Sequence, residues 1–309
     1  MRWRMAARAS LPNYRPRAVH FHHALRLLQC HERVAVIEPL GPYRPPHNRN
    51  CCCPTIRRDF HNLIHIAAIA DLHCKSNFAG KFRALFSQIS ENANILLLCG
   101  DLVDYGLPEE AHILIKELSE VTKRIPVIAV MGNHEFESGK IDEVQKILTD
   151  GGVLLLDGEA CEIEGIGFAG VKGFAGGFGE RLLAPWGEAI MKKFVHEAVE
   201  EALKLESALA KLRTTHRIAL LHYSPIAATV MGEPLEIYPF LGSSRLEEPL
   251  NRFSVTAAFH GHAHHGAPEG KTKTGVPVYN VAMKLLEYSF PGQLPYRILN
   301  LPRAADAAK

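Results

Sequence analysis

No apolar run in this 309-residue chain approaches the roughly 18 residues that a membrane-spanning helix needs. The first residues also lack the compact apolar stretch, followed by small residues, of a secretory signal. A cytoplasmic protein with no membrane partner is therefore expected. Cysteine is present without a pattern: the seven Cys are an odd number, Cys51, Cys52 and Cys53 are adjacent, and no Cys-x-x-Cys accompanies them. That excludes a disulfide framework, and adjacent thiols converge poorly on one ion. Net charge is small, +2 formally. The Gly-rich stretch 165–179 has no Gly-x-Gly-x-x-Gly at a strand-to-helix turn and no Lys-Ser/Thr ending, which argues against a phosphate-cradling cofactor loop. A mobile loop over a site is expected there instead, with Phe174 and Phe178 as apolar contacts.

The small net charge hides an asymmetry. Residues 1–60 hold eleven Arg, no Lys and three acids (Glu32, Glu38 and Asp59), a net +8, which leaves −6 for the remainder. A mildly acidic body offers no broad basic surface, so non-specific nucleic-acid binding is not expected. Pro-rich pieces separate the two short apolar stretches of residues 1–58, and neither stretch is long enough to build a core. This segment reads as an Arg/His/Pro-rich appendage: a transit peptide, a disordered arm or upstream sequence from a misplaced start. The last is favoured, because Ser10 is the only Ser where a transit peptide would be Ser-rich. Residues 59–309 are expected to form the working domain; 47% hydrophobic and 22% charged residues overall are ordinary for a globular protein.

From residue 63 short apolar runs appear, each ending in a polar cluster. LIHIAAIA (63–70) runs into Asp71, ILLLCG (95–100) into Asp101 and VIAVMG (127–132) into Asn133. Their length and apolar continuity suit parallel strands buried on both faces. Helical spacing marks 81–90 and 108–123, where Pro108 and two Glu suit a helix N-terminus, and a long amphipathic helix is expected over 188–212. Runs at 217–221 and 255–259 lead to His222 and to the His cluster 260–265. In open α/β folds ligands gather beyond the carboxyl ends of strands. Asp71, His73, Asp101, Asp104, Asn133, His134, His222, His262 and His264 all fall there, and imidazole with carboxylate and amide oxygen suits first-row metal ions.

In order these residues form Asp71-Leu72-His73, Gly100-Asp101-Leu102-Val103-Asp104, Gly132-Asn133-His134-Glu135, His222 and Gly261-His262-Ala263-His264. The series resembles the five ordered blocks of the calcineurin-like metallophosphoesterases, over roughly residues 63–285. The resemblance implies a four-layer α-β-β-α sandwich and two divalent or trivalent metal ions, manganese, iron or zinc, with a hydroxide between them as nucleophile. It implies that Asp71, His73 and His264 hold one ion, that Asn133, His222 and His262 hold the other, and that Asp101 bridges them. His134 would protonate the leaving oxygen, with Asp104 orienting its ring. Gly100, Gly132 and Gly261 would permit tight turns. His260 and His265 match no ligand position.

Within the superfamily, phosphoprotein phosphatases carry Arg after the second and third blocks, where this chain has Tyr105 and Phe136. Without those guanidinium forks a dianionic monoester loses its bidentate grip. Residues 100–110 and His222-Tyr223-Ser224-Pro225 are more similar to the cyclic-nucleotide-phosphodiesterase-like branch, although Glu135 departs from the Asp usual there. A phosphodiesterase acting on a small-molecule or nucleotide ester is the leading expectation. A phosphomonoesterase or nucleotidase stands as the alternative, and a phosphoprotein phosphatase or a non-catalytic scaffold stands behind it.

Overall fold

The first strand, β1 (Leu63–Ile69), is followed by α1 (Arg83–Asn92), β2 (Ile95–Cys99), α2 (Pro108–Leu118), β3 (Val127–Val130), α3 (Ile141–Asp150) and β4 (Val153–Leu155). The second half runs β5 (Glu159–Ile163), β6 (Ile166–Gly170), α4 (Ala189–Lys211), β7 (His216–Leu220), α5 (Tyr238–Leu241), α6 (Glu247–Arg252), β8 (Ala257–His260), β9 (Glu269–Lys271), β10 (Pro277–Asn280), α7 (Met283–Ser289) and β11 (Arg297–Pro302). These elements belong to a computed structural model that describes residues 62–303. The appendage at 1–58, its Cys triplet and the boundary at 59 lie outside the described residues. No helix among the described residues is long and apolar enough to cross a membrane.

Two sheets form, in the orders β11-β1-β2-β3-β4 and β5-β6-β7-β8-β10-β9. β1, β2, β3 and β4 run parallel, with Ile66 beside Ile95 and Leu96 beside Val127. β6, β7 and β8 run parallel likewise, with Phe168 beside Ile218 and Leu220 beside Phe259. Alternate residues of each strand face opposite ways, and in both sheets both sets are apolar. Ile64, Ile66, Ile95, Leu97 and Ile128 pack against Phe168, Ile218, Leu220 and Phe259 between the sheets. The opposite faces carry helices: Phe86, Leu114 and Leu148 cover Ile69, Leu96 and Leu98 on one side. On the other, Leu205, Leu209 and Leu250 cover Ala169, Ala219 and Ala258. The result is the four-layer α-β-β-α sandwich.

Parallel strands in each sheet end at a common edge, and that is what positions the site. The loops after β1, β2 and β3 meet those after β7 and β8. The loop after β2 is pinned by helix α2: Pro108 occupies its first turn, and the Glu110 carboxylate accepts from Tyr105 N at 2.9 Å and Leu107 N at 3.3 Å. Asp104 is held just ahead of this cap.

Candidate metal centre

Left-handed backbone marks the site before any side chain is considered. Of the six non-glycine residues with positive φ among the described residues, four are Asp71 (59°), His73 (44°), Asp101 (49°) and His262 (69°). Such conformations cost on the order of 1–3 kcal/mol each and persist where the surroundings hold them. Each of the four lies just past a strand. Gly132 and Gly261 act differently from the tight turns expected of them, because neither has a positive φ. A Cβ on Gly132 would lie 2.1 Å from Asp101 Oδ1, and one on Gly261 would lie 2.3 Å from Asp71 Oδ2. These positions need space for a carboxylate, and only glycine leaves it.

Three groups of donors result among the described residues, of which His73, Asp104 and His134 share His73 with the first of the two described next. Asp71, His73 and His264 form one, with His264 Nε2 2.9 Å from Asp71 Oδ1 and 3.4 Å from His73 Nε2. Asp101, His222 and His262 form the other, and Asn133 joins it through Oδ1, 3.0 Å from His222 Nε2. Asp101 stands between the sets. Its Oδ1 is 3.3 Å from His222 Nε2, and its Oδ2 is 3.9 Å from both His73 Nε2 and His134 Nε2.

Main-chain carbonyls select the inward nitrogen of three rings. A carbonyl only accepts, so His222 Nδ1 donates to Cys99 O at 3.0 Å, His262 Nε2 to Phe240 O at 3.2 Å and His134 Nδ1 to Asp104 O at 2.5 Å. The remaining nitrogens, His222 Nε2, His262 Nδ1 and His134 Nε2, are thereby the ones left to face the centre. Asp104 therefore reaches His134 through its backbone carbonyl. Its carboxylate instead lies 3.3 Å from His73 Nδ1 and 3.3 Å from Lys75 Nζ, a division of labour that the sequence did not reveal.

The electrostatics suit a cation. Burial by itself would raise the Asp101 carboxyl, but facing His222 and His134 hold it below the usual carboxylate range. His222 shows the complement: burial lowers it, yet Asp101 and Asp71 carry it up to about 9. Burial pushes His262 down to about 4, leaving it neutral as a ligand should be. Opposed pairs of carboxylates and imidazoles, with His73 and His264 nitrogens 3.4 Å apart, fit metal ions well. A cation taking the place of the His222 proton would release it on binding.

Two residues to which the sequence assigned no part in the site belong to the support of this centre. Glu135, fully buried, accepts from Leu102 N at 2.6 Å, from Val103 N at 3.0 Å and from Gly132 N, tying the Asp101 loop to the Asn133 loop. Burial, with the nearby Asp101 carboxylate, pushes its carboxyl up to about 7. Glu135→Ala would strand three buried donors and is expected to lower unfolding free energy by roughly 3–5 kcal/mol. Urea denaturation checks this; a loss below about 1 kcal/mol would mean that water replaces the carboxylate. Lys172 is the second. Its carbonyl accepts from His222 N and Tyr223 N, and its ammonium lies 4.9 Å from the Phe174 ring and 5.7 Å from that of Phe136.

The Gly-rich stretch is loop only in its second part. Its first part is strand β6, buried throughout. Phe174 packs on Phe194 at 5.0 Å between centroids and Phe178 on Tyr238 at 6.4 Å, while Glu201 fixes Gly173 N at 2.7 Å. His260 is also structural: buried, pushed down to about 4, and hydrogen-bonded to Gly261 O and Thr229 Oγ1. His265 contributes its backbone N–H to Glu233 Oε1.

Fold and site together define a metal-dependent phosphoesterase. The family model described as calcineurin-like phosphoesterase matches residues 64–266, and the chain belongs to that family. Phosphopantetheinyl hydrolase from Mycobacterium tuberculosis shares the fold at 15% identity, with a TM-score of 0.54, over 77% of this chain and 96% of that one. A putative 5'-nucleotidase from Staphylococcus aureus matches at 14% identity and a TM-score of 0.46, over 80% of this chain and 55% of its own. NAD nucleotidase from Haemophilus influenzae matches at 13% identity and a TM-score of 0.43, over 78% of this chain and 50% of its own. No curated protein sequence matches significantly.

Proposed function

We propose that the enzyme hydrolyses phosphodiesters, with Asp71, His73 and His264 holding one metal ion, Asn133, His222 and His262 a second, and Asp101 both. The observation that carries the diester preference is the pair Tyr105 and Phe136, 59% and 45% exposed, at the positions where a phosphoprotein phosphatase has Arg. No Arg lines the cavity beside the metal-binding residues either. Two bound ions of manganese, iron or zinc would supply a water of lowered pKa and neutralise a singly charged phosphoryl group. A diester anion then needs no guanidinium fork, whereas a dianion does.

The chain's own groups do the rest. His134, oriented through Nδ1 by the Asp104 carbonyl, presents Nε2 toward the centre and borders a cavity of about 380 Å³. It is placed to give a proton to the departing oxygen, a task typically contributing about 10²–10⁴-fold. The Asp104 carboxylate lies 3.3 Å from His73 Nδ1 on the far side of that ring, and Glu135 keeps the two loops in register. A small-molecule or nucleotide ester fits a cavity of this size.

The test is kcat/KM of the metal-loaded chain on an aryl phosphodiester and its matching monoester, each corrected for its uncatalysed rate. A larger corrected value for the diester is expected. A larger value for the monoester would replace this reading with a phosphomonoesterase or nucleotidase.

A further inference from the structure

The same cavity carries positive charge that the chemistry at the metal ions does not use. Lys75, Lys81 and Lys284 line it together with His134, Phe78 and Met283. Only Lys75 has a carboxylate partner, Asp104 Oδ2 at 3.3 Å. Among the described residues neither Lys81 nor Lys284 makes an ion pair. The Lys81 ammonium is instead held over the Phe78 ring, 3.6 Å from its centroid. Exposed lysines usually form a solvated face, where convergence serves nothing. Here three of them border one hollow that also holds Asp71 and Asp104, and with Lys75 paired to Asp104 the ammonium groups of Lys81 and Lys284 are left to attract an anion seated within it.

The place of His134 says which part of the substrate brings that anion. The leaving oxygen must lie at His134 to be protonated, so whatever is attached to it extends into the cavity that His134 borders. Building on the diesterase reading, we propose that the leaving alcohol itself carries a phosphate, which Lys75, Lys81 and Lys284 bind. Phe78 and Met283 contact the uncharged part between the two phosphorus atoms. The substrate class is thereby a diester whose leaving side is a nucleotide or another phosphorylated alcohol, in preference to a nucleoside or simple alkyl group.

The experiment compares binding of adenosine 3',5'-bisphosphate and adenosine 5'-monophosphate to the full, metal-loaded chain by titration calorimetry. The bisphosphate should bind about tenfold more tightly, as a few solvent-accessible charge contacts allow, and added salt should shrink the difference. The combined variant Lys81→Gln, Lys284→Gln should bring the two affinities within about twofold of each other, with its metal content unchanged. Equal affinities in the unsubstituted chain, or an advantage that survives both substitutions, would overturn the subsite. An advantage without turnover of any diester would leave the subsite standing and remove the diesterase reading. Turnover of diesters without the advantage would do the reverse.

Discussion

Asp101→Ala is expected to empty both halves of the centre and to cut turnover by on the order of 10³-fold or more, since each bound ion stabilises several kcal/mol of transition-state charge. Asp101 is 1% exposed, and its two oxygens face different donor sets, His222 at 3.3 Å and His73 at 3.9 Å. Its Oδ1 also accepts from His134 N at 2.9 Å, so His134, the proposed proton donor, loses an anchor as well. Asp101→Asn keeps the shape but turns one oxygen into a donor, and should leave one ion bound. Elemental analysis after dialysis reads both variants. An Asp101→Ala protein that keeps one ion at wild-type affinity would contradict the bridging role.

His134→Ala should behave in the opposite way: both ions retained, kcat lowered by about 10²–10⁴-fold on substrates with poor leaving groups. His134 lies beside His73 and Asp104 but belongs to neither proposed ligand set, with Nε2 3.9 Å from Asp101 Oδ2 and Nδ1 committed to the Asp104 carbonyl. Esters whose leaving groups depart without a proton should lose much less. A loss equal for good and poor leaving groups would assign His134 to another task, such as contact with a phosphoryl oxygen.

How much of this was legible in the sequence differs by element. The strands feeding the centre announced themselves, because a parallel strand buried on both faces is a continuous apolar run: 63–70, 95–100 and 127–132 became β1, β2 and β3 within a residue or two. Strand β6 did not. Its glycines read as loop, yet a Cβ on Gly170 would lie 2.7 Å from Leu156 Cβ and Val130 Cγ1, so glycine there permits close packing between neighbouring layers. The edge strands β9 and β11 carry mixed residues and offered no run to read. For the centre, position after a strand and the ordered resemblance brought out Asp71, His73, Asp101, Asn133, His222, His262 and His264, and the structure gathers all seven at one edge. Spacing alone could not separate His260 from His262, two residues apart. One ring points into the core toward Thr229 and the other toward Asp101 and His222. Nor could it show that Asp104 meets His134 through its carbonyl, or that Glu135 spans two loops, since those contacts depend on backbone amides and carbonyls that a sequence does not display.

The most direct test of a centre built for two ions is to titrate the metal-free chain with manganese and follow hydrolysis of an aryl diester against equivalents added. The bridged arrangement predicts that activity climbs to a plateau at two equivalents per chain, with two ions found by elemental analysis at the plateau. A plateau at one equivalent, or full activity in the presence of excess chelator, would contradict it.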